Sequence, residues 1–305
     1  MKHLVVSMIF LLGLLPTLHA QKDDPKKKKD GPTIPDGLKA LQHPDPKVRY
    51  KAAATLAQLG PTAKFAAMEL RAALKDPNAL VRVKVVEALW KIDPPPVSLI
   101  MPVLLDALKH KDPGVRAAAP PVIALLGTKA KPALPALGEA LKDKETDVKL
   151  AVIAALGDLG PIARDLADDL IALAEDKEFF LLEPFVGSTL GSMGDSIAPA
   201  LAKALATRSP ERRRLGAYAL GELGLGALPA LKELTRALQY NDAATRAMAA
   251  RALGRIGPKA KEALAPLEAI LTDKEPTVRV AAALATYQLT GEPKHVGVLI
   301  KALSD

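Results

Sequence analysis

The chain has 305 residues, of which 49% are hydrophobic, 25% charged and 3% aromatic, with a formal net charge of +8 and no cysteine. That is apolar enough to bury a core and excludes a mainly disordered chain, and the length allows two average domains or one extended repeat array. The missing cysteines exclude disulfides, iron–sulfur clusters and thiolate metal sites, and so few rings leave the interior to small and aliphatic side chains.

Met1 to Ala20 differ from the rest. Lys2 is followed by an almost wholly apolar run from Leu4 to Leu18, and Thr17-Leu18-His19-Ala20 precedes Gln21. This predicts a secretory signal peptide cleaved after Ala20 and an exported chain, periplasmic or extracellular. The run falls short of the roughly 20 residues of a spanning helix. An uncleaved anchor is the alternative, and it would then be the chain's membrane contact. Lys26 to Lys29 stand soon after the run, where positive charge resists translocation. Residues 21–35, rich in Lys, Asp and Pro, read as a flexible tether. Lys2 adds one charge and residues 22–30 a net two. About five remain for the folded part, which is not by itself a nucleic-acid signature.

From residue 36 the chain repeats. The pairs Leu59-Gly60, Leu126-Gly127, Leu159-Gly160, Met193-Gly194, Leu223-Gly224 and Ile256-Gly257, with Ile92-Asp93 in the gap and Gly291 at the end, are 33, 34, 33, 34, 30, 33 and 34 residues apart. Eleven residues before the second member of most pairs stands a basic residue: Arg49, Arg82, Arg116, Lys149, Arg213 and Arg246. Arg279 stands twelve before Gly291, and the fifth copy has Glu183 instead. A fixed period of this length means stacked supersecondary units. Each copy reads as two helices of about 12–15 residues. The first follows the glycine, which ends the previous helix, with a proline at its opening position. The second follows an acidic residue and proline, as at Asp45-Pro46, Asp76-Pro77, Asp112-Pro113 and Glu275-Pro276, where the carboxylate can accept free amides. A last helix is expected from Pro293 to Leu303. Helices of this length are marginal alone, so stacking must stabilise them. The recurrent arginine can bond the aspartate or carbonyls of the adjoining turn, making a ladder that fixes register.

The stretches Asp112-Pro113-Gly114-Val115-Arg116-Ala117-Ala118-Ala119 and Thr245-Arg246-Ala247-Met248-Ala249-Ala250-Arg251-Ala252-Leu253-Gly254-Arg255-Ile256-Gly257 resemble the HEAT repeat family, especially its bilin-lyase-like bacterial form. The resemblance implies an all-α fold, a right-handed α-solenoid of about eight HEAT-type helix pairs over residues 36–305. It also implies that the second helices line the concave face. Function follows weakly, because this architecture carries many unrelated roles.

Catalytic signals are poor. There is no P-loop, G-x-S-x-G or H-E-x-x-H motif, and His43, His110 and His295 are too far apart in a solenoid to share a metal. No cofactor and no metal are expected. Gly187-Ser188-Thr189-Leu190-Gly191 and Gly221-Glu222-Leu223-Gly224 read as close helix contacts. Trp90 reads as packing, and the aromatic residues do not alternate with basic ones as single-strand binding would need. What remains is a non-catalytic scaffold that recognises a protein or peptide partner. A bilin-lyase-like enzyme and a basic-face nucleic-acid binder are the alternatives. Arg214, Tyr218 and Glu222 share one helix face, and Arg251 and Arg255 share a face of the next copy. Their residue types are enriched at binding hot spots and suit an acidic segment; a solvated, self-neutralised face is the other reading. The fifth copy, Phe179-Phe180-Leu181-Leu182-Glu183-Pro184-Phe185, adds Phe185 as a candidate on an apolar docking patch. A repacked junction is the alternative there.

Overall fold

The computed structural model describes residues 34–292 together with 296, 297 and 300. The predicted signal peptide, all but the last two residues of the tether, and most of the last predicted helix, with His295, lie outside the described residues. Every regular element among those described is helical. Two compact units divide between Val103 and Leu104. The first holds α1 (Ile34–Ala40), α2 (Pro46–Leu59), α3 (Ala67–Ala73), α4 (Ala79–Ile92) and the start of α5 (Val97–Leu108). The second continues with α6 (Pro113–Leu125), α7 (Leu134–Ala140), α8 (Thr146–Leu159), α9 (Ala167–Ala172), α10 (Phe179–Ser192) and α11 (Ala198–Leu205). It ends with α12 (Pro210–Leu223), α13 (Leu231–Ala237), α14 (Ala243–Ile256), α15 (Leu264–Ala269) and α16 (Pro276–Thr290). In the first unit α2 packs beside α4; in the second α6, α8, α10, α12, α14 and α16 pack side by side in that order. The architecture is an α-solenoid of stacked helix pairs.

The even-numbered helices from α2 are the second helices of the pairs, and α2 and α6 start as the sequence predicts, whereas Asn78 and not Asp76 caps α4 and the Glu275 side chain makes no cap bond to α16. The side chains of Asp45, Asn78, Asp112, Ser209 and Asp242 accept from amides in the first turn, and Pro opens α2, α6, α12 and α16. Each cap satisfies a donor the helix itself leaves free.

The first helices correct the prediction. Most are not continuous α-helices. Gly127–Ala133, Gly160–Leu166 and Gly224–Ala230 form 3₁₀ helices, Gly60–Ala66 and Gly257–Ala263 are 3₁₀ turns broken by a kink at Ala63 and Ala260, and α-helices of only six or seven residues follow. Each of these stretches contains a proline: Pro61, Pro161 and Pro258 at the opening turn, where the missing amide has no helical partner to lose, and Pro132 and Pro229 inside, where it removes one amide from the ladder. A 3₁₀ turn has three residues, so positions i and i+3 share a face. The fully buried pairs Ala63/Ala66, Ala130/Ala133, Ala227/Ala230 and Ala260/Ala263 lie on that face. The glycine before each stretch is the stop signal. Gly257 has φ 72° and ψ −148°, a backbone region open essentially to glycine. Gly291, at φ 69° and ψ 7°, is an ordinary left-handed cap after α16. Where Asp93 replaces the glycine its φ is −152°, and prolines 94–96 lead straight into the twelve-residue α5.

The repeated basic residue builds the predicted ladder by one rule: it reaches the residue 27 positions on, in the turn of the next pair. Arg246 grips Asp273 with Nε–Oδ2 and Nη2–Oδ1 both at 2.8 Å. Arg49 holds Asp76 in the same two-pronged way at 2.6 and 2.8 Å, and Arg116 holds Asp143 at 2.6 and 2.9 Å. Lys149 reaches Asp176 at 2.5 Å. Each of these aspartates also accepts the amide two residues on, while the third arginine nitrogen bonds carbonyls of its own turn. Each rung therefore joins two turns. Tyr240 stands in the acceptor's place after Arg213, and the guanidinium lies 5.0 Å from the ring centroid. Lys109 stands 27 positions after Arg82, and Arg82 bonds the carbonyls of Asp76 and Pro77. In the fifth copy the sign is reversed: Glu183 on α10 receives Arg214 of α12 at 3.7 Å. Thr189 and Ser192 add hydroxyl bonds to the α8 carbonyls of Ile153 and Gly157.

His43 and His110 are turn residues and accept the amides of Asp45 and Asp112 through Nδ1, each at 3.1 Å.

Candidate binding cleft

The 33-residue step becomes a set of columns across α12, α14 and α16. Adding it to Tyr218 gives Arg251 and then Leu284; adding it to Glu222 gives Arg255 and then Gln288. Between these columns lies a cleft of about 190 Å³, lined by Ala217, Tyr218, Gly221, Met248, Arg251, Ala252, Arg255, Leu284 and Gln288. Small residues make its floor: the Gly221 backbone meets Ala252, with only van der Waals room for a methyl. On the other side of α12, Gly187 and Gly191 of α10 sit against Tyr218 and Glu222, and a methyl at either glycine would overlap those side chains. Glycine at these two places seats the Tyr218 ring and the Glu222 stem, as the close-contact reading of that segment expects.

The rim is charged unevenly. Arg255 forms an ion pair with Glu222, and Arg214 is occupied by Glu183. Arg251 is exposed and forms no hydrogen bond or ion pair among the described residues. Burial raises the Tyr218 phenol above its ordinary pKa and Glu222 adds to this, while Arg255 opposes it. Burial also pushes the Asp242 carboxyl up. Hydrogen bonds from Thr245, with the nearby charge of Arg214, outweigh it and leave Asp242 below the ordinary range. The second helices of the first unit are different. There Glu87 is held between Lys84 at 2.5 Å and Lys91 at 2.6 Å, and Lys84 also lies 5.2 Å from the Tyr50 ring centroid. One carboxylate there serves two lysines, whereas on the α12–α16 face Glu183 and Glu222 are each taken by one arginine and Arg251 is left over.

The structure therefore brings Tyr218, Arg251 and Arg255 together in the cleft wall, ties Glu222 to it through Arg255, and turns Arg214 of α12 aside to Glu183 of α10. Phe185, on α10 and 37% exposed, is not among the cleft's lining residues. The reason lies in the shortened fifth spacing. A 33-residue step back from Tyr218 lands on Phe185, but the lost residues shift the register and put Gly187 against Tyr218 instead. Nearby, Phe179 is buried and Phe180 is 73% exposed. Met248, Leu284 and Gln288 were not singled out from sequence. Carrying the columns one repeat further finds the last two.

Among the described residues no group of three His, Cys, Asp or Glu side chains can hold a metal ion, and no helix is long and apolar enough to cross a membrane.

Stacked helix pairs tied by a repeating Arg–Asp rung, with a cleft on the second helices, define a helical-repeat protein. Residues 34–100, 67–133, 101–183 and 232–305 match the family described as HEAT repeats, and the chain belongs to that family. Between the matches, the stretch 184–231 is unmatched and contains the shortened spacing. No curated protein sequence matches the chain. Among solved structures it is similar to Kap121p, at 13% identity and a TM-score of 0.64, over 89% of this chain and 35% of that one. A structure of the karyopherin Kap121p bound to the extreme C-terminus of the protein phosphatase Cdc14p matches at 13% identity and a TM-score of 0.64, over 88% and 35%. The chain thus spans about a third of Kap121p. The complex of CpcE and CpcF of phycocyanin lyase from Nostoc sp. PCC7120 matches at 21% identity and a TM-score of 0.41, over 83% of this chain and 100% of that one. At 13% identity the likeness to Kap121p is one of fold.

Proposed function

We propose that this protein is an exported, non-catalytic scaffold that binds a protein or peptide partner on the second-helix face of its second unit, with an acidic segment of the partner meeting the α12–α16 cleft. The observation that carries this reading is the cleft itself: an apolar floor of small residues, a seated tyrosine, and an arginine with no internal partner beside another that is paired. Tyr and Arg at an apolar depression are the residue types that dominate binding energy, and shallow grooves between helices are where helical-repeat proteins offer contact area. Kap121p, alike in fold, has been solved bound to the extreme C-terminus of Cdc14p and bound to Nup53p, which supports reading a helical-repeat protein as a binder of protein segments. Export rests on the pattern of residues 1–20. Chemical sequencing of the envelope-fraction protein should find Gln21 at its N-terminus.

The test is affinity capture from the exported fraction by the chain from Gln21 onward, set against the same chain carrying Arg251→Glu and Arg255→Glu. A partner retained by the first and released by the second supports the reading. Identical sets on both columns, salt-dependent retention on DNA, or transfer of a bilin to an apoprotein would overturn it.

A further inference from the structure

The two cleft arginines, one helical turn apart on α14, are in different states, and the difference specifies a ligand. Arg255 already holds a carboxylate, that of Glu222. Glu222 shows what this wall binds, and it leaves Arg255 satisfied. Arg251 borders the same floor without a counter-ion among the described residues. The space beside it, about 190 Å³, is lined mainly by Ala217, Gly221, Met248, Ala252 and Leu284. An apolar cavity of about 150 Å³ is enough for a benzene ring, so this cleft has room for one aromatic or branched side chain of a partner.

We propose that the cleft recognises a two-residue element in a peptide: a ring-sized apolar side chain seated over the Gly221–Ala252 floor, with an adjacent carboxylate paired to Arg251 and not to Arg255. Charge complementarity identifies the occupant. A basic segment would meet an unmatched guanidinium, and a purely apolar one would leave that cation unanswered. A guanidinium offers paired donors that match a carboxylate. The adjoining residue anchors it through area removed from water. Gln288 and the Tyr218 hydroxyl at the edges give hydrogen-bonding capacity for the peptide backbone. The inference rests on the scaffold reading and narrows it to one site and one ligand chemistry.

The experiment uses four fluorescein-labelled, C-terminally amidated peptides in one Gly/Ser frame, with Phe-Glu, Phe-Gln, Phe-Lys or Ala-Glu at the centre. They are titrated by anisotropy into the whole mature chain and into Arg251→Gln, Arg255→Gln and Glu222→Gln variants whose helical circular dichroism is unchanged. Phe-Glu is expected to bind roughly 10- to 100-fold tighter than Ala-Glu, from burial of the ring. It should bind about two- to fivefold tighter than Phe-Gln, as a partly exposed ion pair gives, and Phe-Lys should be weakest. Arg251→Gln should abolish the Glu-over-Gln preference while keeping the Phe-over-Ala preference; Arg255→Gln, which leaves Glu222 unpaired beside the cleft, should reduce the Glu-over-Gln preference without abolishing it and keep the Phe-over-Ala preference. Glu222→Gln, which releases Arg255, should tighten Phe-Glu further. Loss of the Glu preference in Arg255→Gln but not in Arg251→Gln would overturn the assignment, as would equal binding of Phe-Glu and Phe-Lys. Failure of all four peptides to bind at millimolar concentration would overturn it too. The scaffold reading would still stand if captured partners depend on the cleft arginines.

Discussion

The rung between Arg246 and Asp273 is the sharpest place to test what holds the helix pairs in register. Replacing Arg246 by Met keeps much of the stem's packing and removes two bonds of 2.8 Å to Asp273, along with those to the carbonyls of Tyr240 and Asn241. Both side chains are nearly buried, at 9% and 10% exposure. Breaking one partner of a buried pair costs about 3–5 kcal/mol. Asp273 keeps the Glu275 amide and some water, so about 2–3 kcal/mol is expected here, or a Tm lower by roughly 5–10 °C for a unit of this size. Urea unfolding of the single variants Arg246→Met and Asp273→Asn and of their double variant gives the coupling directly. The acid limb provides a second check. Burial pushes the Asp273 carboxyl up, but the Arg246 guanidinium and the Glu275 amide hold it below its ordinary pKa. Its contribution is therefore complete above the unfolded-state value of about 3.9 and disappears as pH falls through the lower folded value. The gap between wild type and Arg246→Met should be constant from pH 7 to 5 and narrow below about pH 4 by the share that Asp273 contributes, leaving the pH-independent loss of the two carbonyl bonds. A coupling under about 0.5 kcal/mol, the level of an exposed pair, or a gap of unchanged size in strong acid, would refute the ladder as a stabilising device.

The glycine stops separate by backbone region. Gly291→Asn should cost under about 1 kcal/mol because asparagine tolerates the left-handed region, whereas Gly257→Asn should cost roughly 1–3 kcal/mol; thermal melts of the two variants compare them. Nothing lies within 4 Å of a methyl at Gly257, so equal costs would show that its φ and ψ are not what demands glycine. Gly187→Ala must displace the Tyr218 ring. It should lower stability by about 1–3 kcal/mol and weaken Phe-Glu peptide binding, and unchanged binding would separate Tyr218 from the cleft. Asp76, Asp143 and Asp176 are also held below the ordinary carboxylate range: Asp143 by Arg116, and the other two by Arg49 and Lys149 against the upward push of burial. The Tm of the whole chain should therefore stay level from pH 7 to 5 and fall steeply only below about pH 4. A decline beginning near pH 6 would contradict this.

The period itself made the second helices and their stops legible, because a glycine at positive φ and a capping aspartate are demanded locally and recur visibly. The rungs were legible in kind from the Arg series. Their acceptors were not all named, since Asp143 and Asp176 lack the proline that drew attention to Asp76. The first helices were misread. A glycine followed by proline signals a helix start equally well for 3₁₀ and α geometry, and only the burial of alanines at i and i+3 separates them. In the cleft, Tyr218, Arg251 and Arg255 came from helical spacing. Met248 hid because an apolar residue on a helix reads as core. Phe185 stood out by its chemistry, but a shortened connection moved it out of the column that the regular period would give it.

The most direct measurement of the central claim is site-specific photocrosslinking in the exported fraction, with benzoylphenylalanine placed at Leu284 in the cleft or at the exposed Lys232 of α13. Adducts to the same protein partner from Leu284 and none from Lys232, lost when Arg251→Glu is added, are the predicted result. Adducts of equal yield from both positions, or adducts at Leu284 indifferent to Arg251, would contradict the account.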